Sequence, residues 1–100
     1  MVWFSFSIDV PAEYEFDEAK SQLNQAKHGI DFVAAQRIWD DEQRVALNGR
    51  STSEDRWIIV GRLDDKFYSA VITWRGANVR IISVRRSRLI EVKFYEDSNS

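Results

Sequence analysis

The 100-residue sequence contains no cysteine, one histidine (His28) and one proline (Pro11). Without cysteine the chain has no disulfide scaffold, no thiolate nucleophile and no cysteine-based zinc or iron–sulfur site. With a single histidine, a multi-histidine metal site within one chain is also excluded. The sequence has neither a glycine-rich phosphate-binding loop nor the Gly-x-Ser-x-Gly motif of serine hydrolases. We therefore expect no cofactor and no bound metal of these kinds.

Long hydrophobic runs are also missing. No apolar stretch approaches the roughly 20 residues that a helix needs to span a bilayer. The first residues, Met1 to Ser7, lack the positive charge and the long apolar segment of a secretory signal. We therefore predict a cytoplasmic protein that has no membrane partner.

The apolar residues that are present suffice for one packed domain over residues 1–100, because 44% of the sequence is hydrophobic and 13% is aromatic. The formal net charge of −2 conceals an uneven distribution. Residues 1–43 contain three basic and nine acidic residues, whereas residues 44–100 contain eleven basic and seven acidic ones. Ten of the fourteen bases are arginine, whose planar guanidinium suits phosphate. A confined basic surface on an acidic protein is therefore compatible with this composition.

Hydrophobic periodicity predicts an α+β fold with the element order β-α-α-β-β-β-β-α. Residues 1–13 form an extra N-terminal arm or edge strand, with alternating apolar residues at 2–8, and a short extended piece follows at 14–16. Asp17 and Gly29 bound a first helix, and Asp31 begins a second helix over residues 32–41. Strands are predicted at 44–47, 56–63, 67–74 and 79–86, and a helix at 87–97 with Ser87 as its N-cap. The hairpin-linked strands indicate an antiparallel sheet, with two N-terminal helices and one C-terminal helix mainly on one face.

The first predicted helix carries Lys20, Asn24 and Lys27 along one face, with His28 one turn after Asn24. Such a pattern is commonly a solvated face whose last cations interact with the helix dipole. The same residues could instead supply hydrogen-bonding and proton-transfer groups beside a substrate. Both interpretations stay open.

Arginines are frequent in the last predicted strand. Strict alternation puts Arg80 and Arg86 on one face of this strand, and Ser83 and Arg85 on the other. The arginines either form surface ion pairs with acids such as Glu91, which contribute little stability, or they bind the phosphates of a nucleic acid. The sequence favours neither interpretation.

Two further features have ambiguous roles. The run Asp40-Asp41-Glu42 offers carboxylates for a divalent metal, although an acidic helix end of this kind is more often a solvated turn. Most aromatic residues occupy expected core positions, whereas Tyr95, near the end of the last helix, fits either the core or a site.

Several segments recur together in one known family. They are Tyr14-Glu15-Phe16-Asp17-Glu18-Ala19-Lys20, then Asn24, Lys27-His28-Gly29-Ile30-Asp31-Phe32, Gly61-Arg62, Arg80-Ile81-Ile82-Ser83-Val84-Arg85-Arg86, Glu91 and Tyr95. In this order, over about residues 14–96, they resemble the BrnT family of toxins. Residues 1–13 precede the usual start of that family.

The resemblance implies a RelE-like fold and an endoribonuclease, the toxin of a type II toxin–antitoxin pair. It implies two partners: an RNA substrate, and a BrnA-like antitoxin, a ribbon-helix-helix DNA-binding protein that inhibits the toxin and represses the shared operon. A homodimer and a 2:2 complex with the antitoxin both stay open. Carried over by position, the resemblance implies catalytic roles for His28, Arg62, Arg80, Arg86 and Tyr95, and RNA-binding roles for Lys27, Ser83 and Arg85.

These residue types suit cleavage of RNA without a metal. The 2′-OH of RNA is an internal nucleophile on the adjacent phosphate, and arginine stabilises the negative charge that develops there. Histidine ordinarily titrates near neutral pH, so His28 is the first candidate for the general acid or base, with Lys27, Glu91 and Tyr95 as rivals. The competing hypothesis is a non-catalytic binding module that pairs with a DNA-binding antitoxin in an autorepressing complex.

Overall fold

The computed structural model describes residues 10–48 and 56–100. Its strands are β1 (Tyr14–Glu15), β2 (Val45–Leu47), β3 (Arg56–Leu63), β4 (Lys66–Arg75) and β5 (Asn78–Arg86). Its helices are α1 (Glu18–His28), α2 (Phe32–Ala35), a 3-10 helix (Gln36–Asp40) that continues α2, and α3 (Leu89–Ser98). This order confirms the predicted α+β class, while the strand predicted at 2–8 lies outside the described residues. None of the described helices has the length and apolar character needed to cross a membrane.

The five strands form one sheet in the order β1-β5-β4-β3-β2. Strands β2 to β5 pair antiparallel, as predicted. Strand β1 pairs in parallel with the start of β5, so the sheet as a whole is mixed. The N-terminal segment reaches this edge because the Val79 N–H donates a hydrogen bond to the Glu13 carbonyl at 3.0 Å.

The two faces of the sheet bury separate apolar clusters. On the first face, here called the α1 face, α2 and the 3-10 helix bury Phe32 and Ile38 against strand residues such as Ile59. On the opposite face, here called the α3 face, Tyr95 of α3 packs with Val60 and the buried residues of β2. The prediction that helices lie mainly on one face therefore holds for the N-terminal helices but not for α3, because β2 and β3 are apolar on both faces.

Two helix boundaries differ from prediction. The second helix becomes a 3-10 helix after one α-helical turn and lies against β3 at Gly61, where a Cβ atom would come within 2.9 Å of Ile38 Cγ2. Helix α3 begins two residues after Ser87, and Arg88 rather than Ser87 is its N-cap. Ser87 is unavailable because its N–H donates to the Phe67 carbonyl (3.0 Å) and its hydroxyl bonds that of Ser69 (2.7 Å).

A β-bulge interrupts the pairing of β4 with β5. Val71 pairs with Ser83, but the next residue of β4, Ile72, pairs with Ile81. Ile82 is therefore an extra residue in β5, and such an insertion reverses the alternation of faces beyond it. The buried residues of β5 accordingly fall at 79, 81 and 84 rather than at every second position.

The bulge corrects the predicted distribution of arginines in β5. Arg86 follows the buried Val84 by two residues and lies on the α1 face, whereas Arg80 lies on the α3 face together with Ser83 and Arg85. The prediction that Arg80 and Arg86 share a face is therefore wrong. The physical reason is the extra residue, which strict alternation does not anticipate.

Candidate functional site

Part of the α3 face lies outside the apolar cluster beneath α3 and carries polar side chains. Across the sheet, Arg56 of β3 pairs with Thr73 of β4, and Thr73 pairs with Arg80 of β5. Strands in a sheet are about 4.8 Å apart, so the backbones of the two arginines are separated by about 10 Å. Ser83 lies on the same face beyond the bulge. These four residues are called the open strand face below.

Within residues 10–48 and 56–100, Arg80 takes part in no ion pair. Its neighbour across β1, Glu15, accepts a hydrogen bond from Asn78 at 3.1 Å and lies 3.7 Å from the Arg75 guanidinium instead. Glu15, which is paired with Arg80 across the two strands, therefore bonds Asn78 and Arg75 rather than Arg80. A guanidinium in this position can bind the phosphate of a ligand.

Arg85, on the same face, is bound to Glu91 of α3. The two terminal nitrogens of Arg85 donate hydrogen bonds to the two carboxylate oxygens at 2.7 and 2.8 Å. The same carboxylate accepts hydrogen bonds from the Ser69 hydroxyl and from the Arg88 N–H, both at 2.8 Å. The Glu91 side chain is only 3% exposed. The ion-pair interpretation therefore applies to Arg85, although the pair is buried and anchors α3 to the sheet.

A second group of predicted site residues lies on the α1 face. Asn24 is buried and binds the backbone of Val84, donating to its carbonyl at 2.9 Å and accepting from its N–H at 3.2 Å. Lys27 and His28 follow at the end of α1 and are exposed, as is Arg86 at the end of β5. The contact between Asn24 and Val84 thus holds the end of α1 against the strand that carries Arg86.

Arg62 and Tyr95 line a cleft of about 470 Å³ between the 3-10 helix, β3 and α3. Asp41 joins the three elements. Its Oδ2 accepts hydrogen bonds from the Tyr95 hydroxyl at 2.7 Å and from the Arg62 N–H at 2.8 Å, and its Oδ1 accepts one from the Gln43 N–H at 2.9 Å. Burial and the hydrogen bond to Asp41 raise the pKa of Tyr95. The hydroxyl is therefore held as a donor to a carboxylate.

Replacing Tyr95 by phenylalanine is expected to lower the free energy of unfolding by about 1.5–3 kcal/mol, the usual contribution of a hydrogen bond to a charged group. Urea unfolding followed by tryptophan fluorescence measures this loss. Tyr68→Phe, on the other face of the sheet, is the matched control and is expected to change stability by less than about 0.5 kcal/mol. Equal stability of the two variants would show that the hydrogen bond from the Tyr95 hydroxyl to Asp41 does not stabilise the fold.

The predicted site residues thus lie in three places. Arg80, Ser83 and Arg85 lie on the α3 face, Lys27, His28 and Arg86 lie on the α1 face, and Arg62 and Tyr95 line the cleft. Sequence reasoning offered an ion pair of the arginines with Glu91 as one of two interpretations. It did not predict the connecting roles of Asn24 and Asp41, because their partners are remote in sequence: Val84 for Asn24, and Arg62 and Tyr95 for Asp41. Among the described residues, no group of three or more histidine, aspartate or glutamate side chains is arranged to hold a metal ion.

Comparison with known families confirms the resemblance. The family model described as "Ribonuclease toxin, BrnT, of type II toxin-antitoxin system" matches residues 16–91, which is more than half of the chain. No curated protein matches the sequence at a significant level. The matched span includes α1, the whole sheet from β2 to β5 and the start of α3, while Tyr95 lies beyond it. The chain therefore belongs to the BrnT family of ribonuclease toxins of type II toxin–antitoxin systems.

Proposed function

We propose that the chain is a cytoplasmic endoribonuclease that cleaves mRNA without a metal ion, through attack of the 2′-OH on the adjacent phosphate. Because the RNA supplies its own nucleophile, the protein must bind the backbone, transfer protons and stabilise the charge that develops on the phosphate. One observation carries the proposal: Arg80 and Arg86 of β5 take part in no ion pair with the carboxylates of the described residues. The chain that carries these two arginines belongs to a family of ribonuclease toxins.

The open strand face is proposed to bind the RNA backbone. Arg80 binds a phosphate, and the Ser83 hydroxyl donates a hydrogen bond to the backbone. Arg85 contributes positive charge beside them while it remains bonded to Glu91. The exposed Lys27, on the α1 face, binds the RNA backbone where it continues beyond the open strand face. Backbone contacts of this kind depend strongly on salt, because each neutralised phosphate releases counterions.

The end of α1 is proposed to supply the proton-transfer chemistry. His28 is exposed at the end of this helix and serves as general acid or base. Arg86 stabilises the charged transition state from β5, with its guanidinium carbon 5.8 Å from the ring centroid of Tyr68. Arg62 and Tyr95 are proposed to assist from the cleft. Substitutions of Arg62 and Tyr95 test whether these residues take part in the reaction or only stabilise the cleft through their hydrogen bonds to Asp41.

The proposed regulatory partner is a BrnA-like antitoxin with a ribbon-helix-helix DNA-binding domain. Membership of a type II toxin family supports an antitoxin as partner. The antitoxin inhibits the ribonuclease, and the complex represses the operon through the DNA-binding domain. Sedimentation of the toxin alone shows whether it forms a homodimer, and sedimentation of its complex with the antitoxin shows whether the assembly is 2:2.

Arg86→Ala is expected to lower the rate of RNA cleavage by about 100-fold or more, the usual effect of removing one group that stabilises a developing charge. Arg80→Ala is expected to raise KM. It is also expected to reduce the slope of the logarithm of the RNA-binding constant against the logarithm of the salt concentration by about 0.7, the contribution of one phosphate contact on single-stranded RNA. Cleavage of a labelled RNA in EDTA measures both effects, and Lys66→Ala, an exposed cation of the β3–β4 hairpin, is the matched control. Thermal unfolding checks that each variant remains folded.

Two outcomes would count against this proposal. RNA that stays intact in EDTA but is cut after magnesium is added would contradict the metal-free mechanism. Absence of cleavage under both conditions, together with tight binding of the antitoxin and no growth arrest on expression, would favour the non-catalytic binding module.

A further inference from the structure

The cleft between the 3-10 helix, β3 and α3 contains more charged groups than its internal contacts use. Its volume of about 470 Å³ is typical of sites that enclose a small organic ligand, which measure about 300–1,000 Å³. Five charged side chains line it: Arg37, Asp40, Asp41, Arg62 and Asp64. Because the acids outnumber the bases by three to two, a phosphate is a poor ligand for the interior of the cleft.

Three of these charges are already engaged. Asp41 accepts hydrogen bonds on both carboxylate oxygens, and Arg37 forms an ion pair with Asp64 at 3.4 Å. The Asp40 carboxylate and the Arg62 guanidinium take part in no ion pair within the described part of the chain. None of the hydrogen bonds that join the residues of the cleft there reaches either group. Both groups are therefore available to a ligand.

The two available groups come from different walls of the cleft. Asp40 follows Arg37 by three residues, and residues at this spacing lie on the same side of a 3-10 helix. Asp40 thus shares the side on which Arg37 pairs with the hairpin between β3 and β4. Arg62 belongs to β3, and its guanidinium carbon lies 5.4 Å from the ring centroid of Phe67. Because Arg62 is exposed, the guanidinium can stack on a second planar group.

A stacking surface beside a carboxylate suits one particular nucleobase. Unpaired RNA bases stack on guanidinium planes, and proteins form hydrogen bonds with their Watson–Crick edges. On that edge guanine presents two adjacent donors, N1–H and the exocyclic amine, which match the two acceptor oxygens of a carboxylate. Adenine, cytosine and uracil each present a single donor there beside an acceptor. The Asp40 carboxylate therefore favours guanine.

The cleft also lies at the same end of the sheet as Arg86. Gly61, which precedes Arg62, pairs with Tyr68, and Tyr68 pairs with Arg86. Two strand spacings, about 10 Å, separate the backbones of Gly61 and Arg86. A base in the cleft therefore lies within a few nucleotides of a phosphate bound by Arg86.

We propose that the cleft binds an unpaired guanine of the RNA substrate. Asp40 accepts hydrogen bonds from N1–H and the exocyclic amine, and Arg62 stacks on the ring. That the guanine belongs to RNA rests on the function proposed above. In this arrangement Arg62 assists the reaction by holding the substrate, Asp40 determines its specificity, and cleavage occurs preferentially near guanine.

The test measures binding of the full chain to fluorescent 2′-O-methyl oligonucleotides of about five nucleotides, which lack the 2′-OH nucleophile and cannot be cut. All are uridine except at the central base, which is guanine, hypoxanthine or adenine. Hypoxanthine is guanine without the exocyclic amine, so it lacks one of the two donors. Anisotropy is expected to show at least about fivefold tighter binding of the guanine oligonucleotide than of the other two.

Asp40→Asn is expected to remove the preference for guanine over hypoxanthine, because an amide offers one acceptor atom in place of two. Glu42→Gln neutralises an exposed acid of the same acidic run that does not line the cleft, and this matched control should keep the preference. Thermal unfolding checks that both variants remain folded.

Three outcomes would overturn the proposal: equal binding of the three oligonucleotides, a guanine preference that Asp40→Asn retains, or guanosine monophosphate binding as tightly as the guanine oligonucleotide. The last would identify a free nucleotide as the ligand. Cleavage of RNA, measured in parallel, separates this proposal from the proposed function. A chain that prefers guanine in binding but cuts no RNA refutes the ribonuclease, and one that cuts RNA without this preference refutes the guanine site.

Discussion

Replacing Glu91 by alanine is expected to lower the free energy of unfolding by about 3–5 kcal/mol, the usual loss when one partner of a buried ion pair is removed. The Glu91 carboxylate accepts both terminal N–H groups of Arg85, the Ser69 hydroxyl and the Arg88 N–H. Its removal leaves the charge of Arg85, whose side chain is only 20% exposed, without an acid. A domain of this size has a total stability of about 5–15 kcal/mol, so the variant is expected to be marginally folded.

The same carboxylate makes stability depend on pH. Burial by itself would raise the pKa of Glu91, but the hydrogen bonds from Arg85, Arg88 and Ser69 outweigh it and hold the pKa below its usual value of 4.5. The folded protein therefore binds this proton more weakly than the unfolded chain does. The contribution of Glu91 is fully present above the unfolded pKa and is lost as the pH falls through the folded pKa. Wild type is expected to lose more stability than Glu91→Gln on acidification below about pH 4.5.

Urea unfolding of the variants at neutral pH measures the loss. Glu96→Gln, which removes an exposed carboxylate from the same helix, is the control and is expected to change stability by less than about 0.5 kcal/mol. The double variant Arg85→Ala with Glu91→Ala is expected to be more stable than Glu91→Ala alone, because it leaves no uncompensated buried charge. A loss smaller than about 1 kcal/mol for Glu91→Ala would show that the pair does not anchor α3.

The elements that the sequence predicted well are those whose determinants are local. Helix α1 begins where the Asp17 carboxylate accepts the Lys20 N–H at 3.1 Å, and it ends where Gly29 adopts a φ of +75°. Both signals lie within a few residues of the boundary that they set. The order of strands followed from apolar alternation and short turns, which are equally local. These signals were sufficient for the fold class.

The errors arise where the determinant is remote in sequence. The α1 helix buries Ser21 and Asn24 and leaves Leu23 exposed, because both polar side chains bond backbone groups elsewhere: Ser21 accepts the Phe32 N–H at 2.9 Å, and Asn24 binds Val84 sixty residues away. Amphipathic spacing alone cannot show this. The bulge at Ile82 left no clear trace in the sequence, because Ile81 and Ile82 are both apolar. The change of spacing from two to three appears only in the buried residues, at 79, 81 and 84. Strict alternation across Ile82 therefore placed Arg80 on the same face as Arg86, whereas the structure places it with Ser83 and Arg85.

Replacing Asn24 by alanine is expected to lower the free energy of unfolding by about 3–5 kcal/mol, because several buried backbone groups lose their partner at about 1–3 kcal/mol each. The Asn24 amide nitrogen donates to the carbonyls of Ile30 and Val84, and its oxygen accepts the Val84 N–H. The loss is measured by urea unfolding. Gln25→Ala, at an exposed neighbouring position on α1, is the control and is expected to change stability by less than about 0.5 kcal/mol.

Asn24→Asp separates the hydrogen bonds from the packing, because aspartate has almost the same shape. An ionised carboxylate still accepts the Val84 N–H, but it cannot donate to the carbonyls of Ile30 and Val84, which lie 2.8 and 2.9 Å from the replaced nitrogen. Burial beside two carbonyl oxygens raises the pKa of the introduced acid, so the folded state binds its proton more tightly than the unfolded chain does. The destabilisation relative to wild type is therefore expected to shrink as the pH falls, when the protonated acid can donate one of the two bonds. A destabilisation that is the same at neutral and acidic pH would mean that the shape of Asn24, and not its donation to the two carbonyls, holds α1 on the sheet.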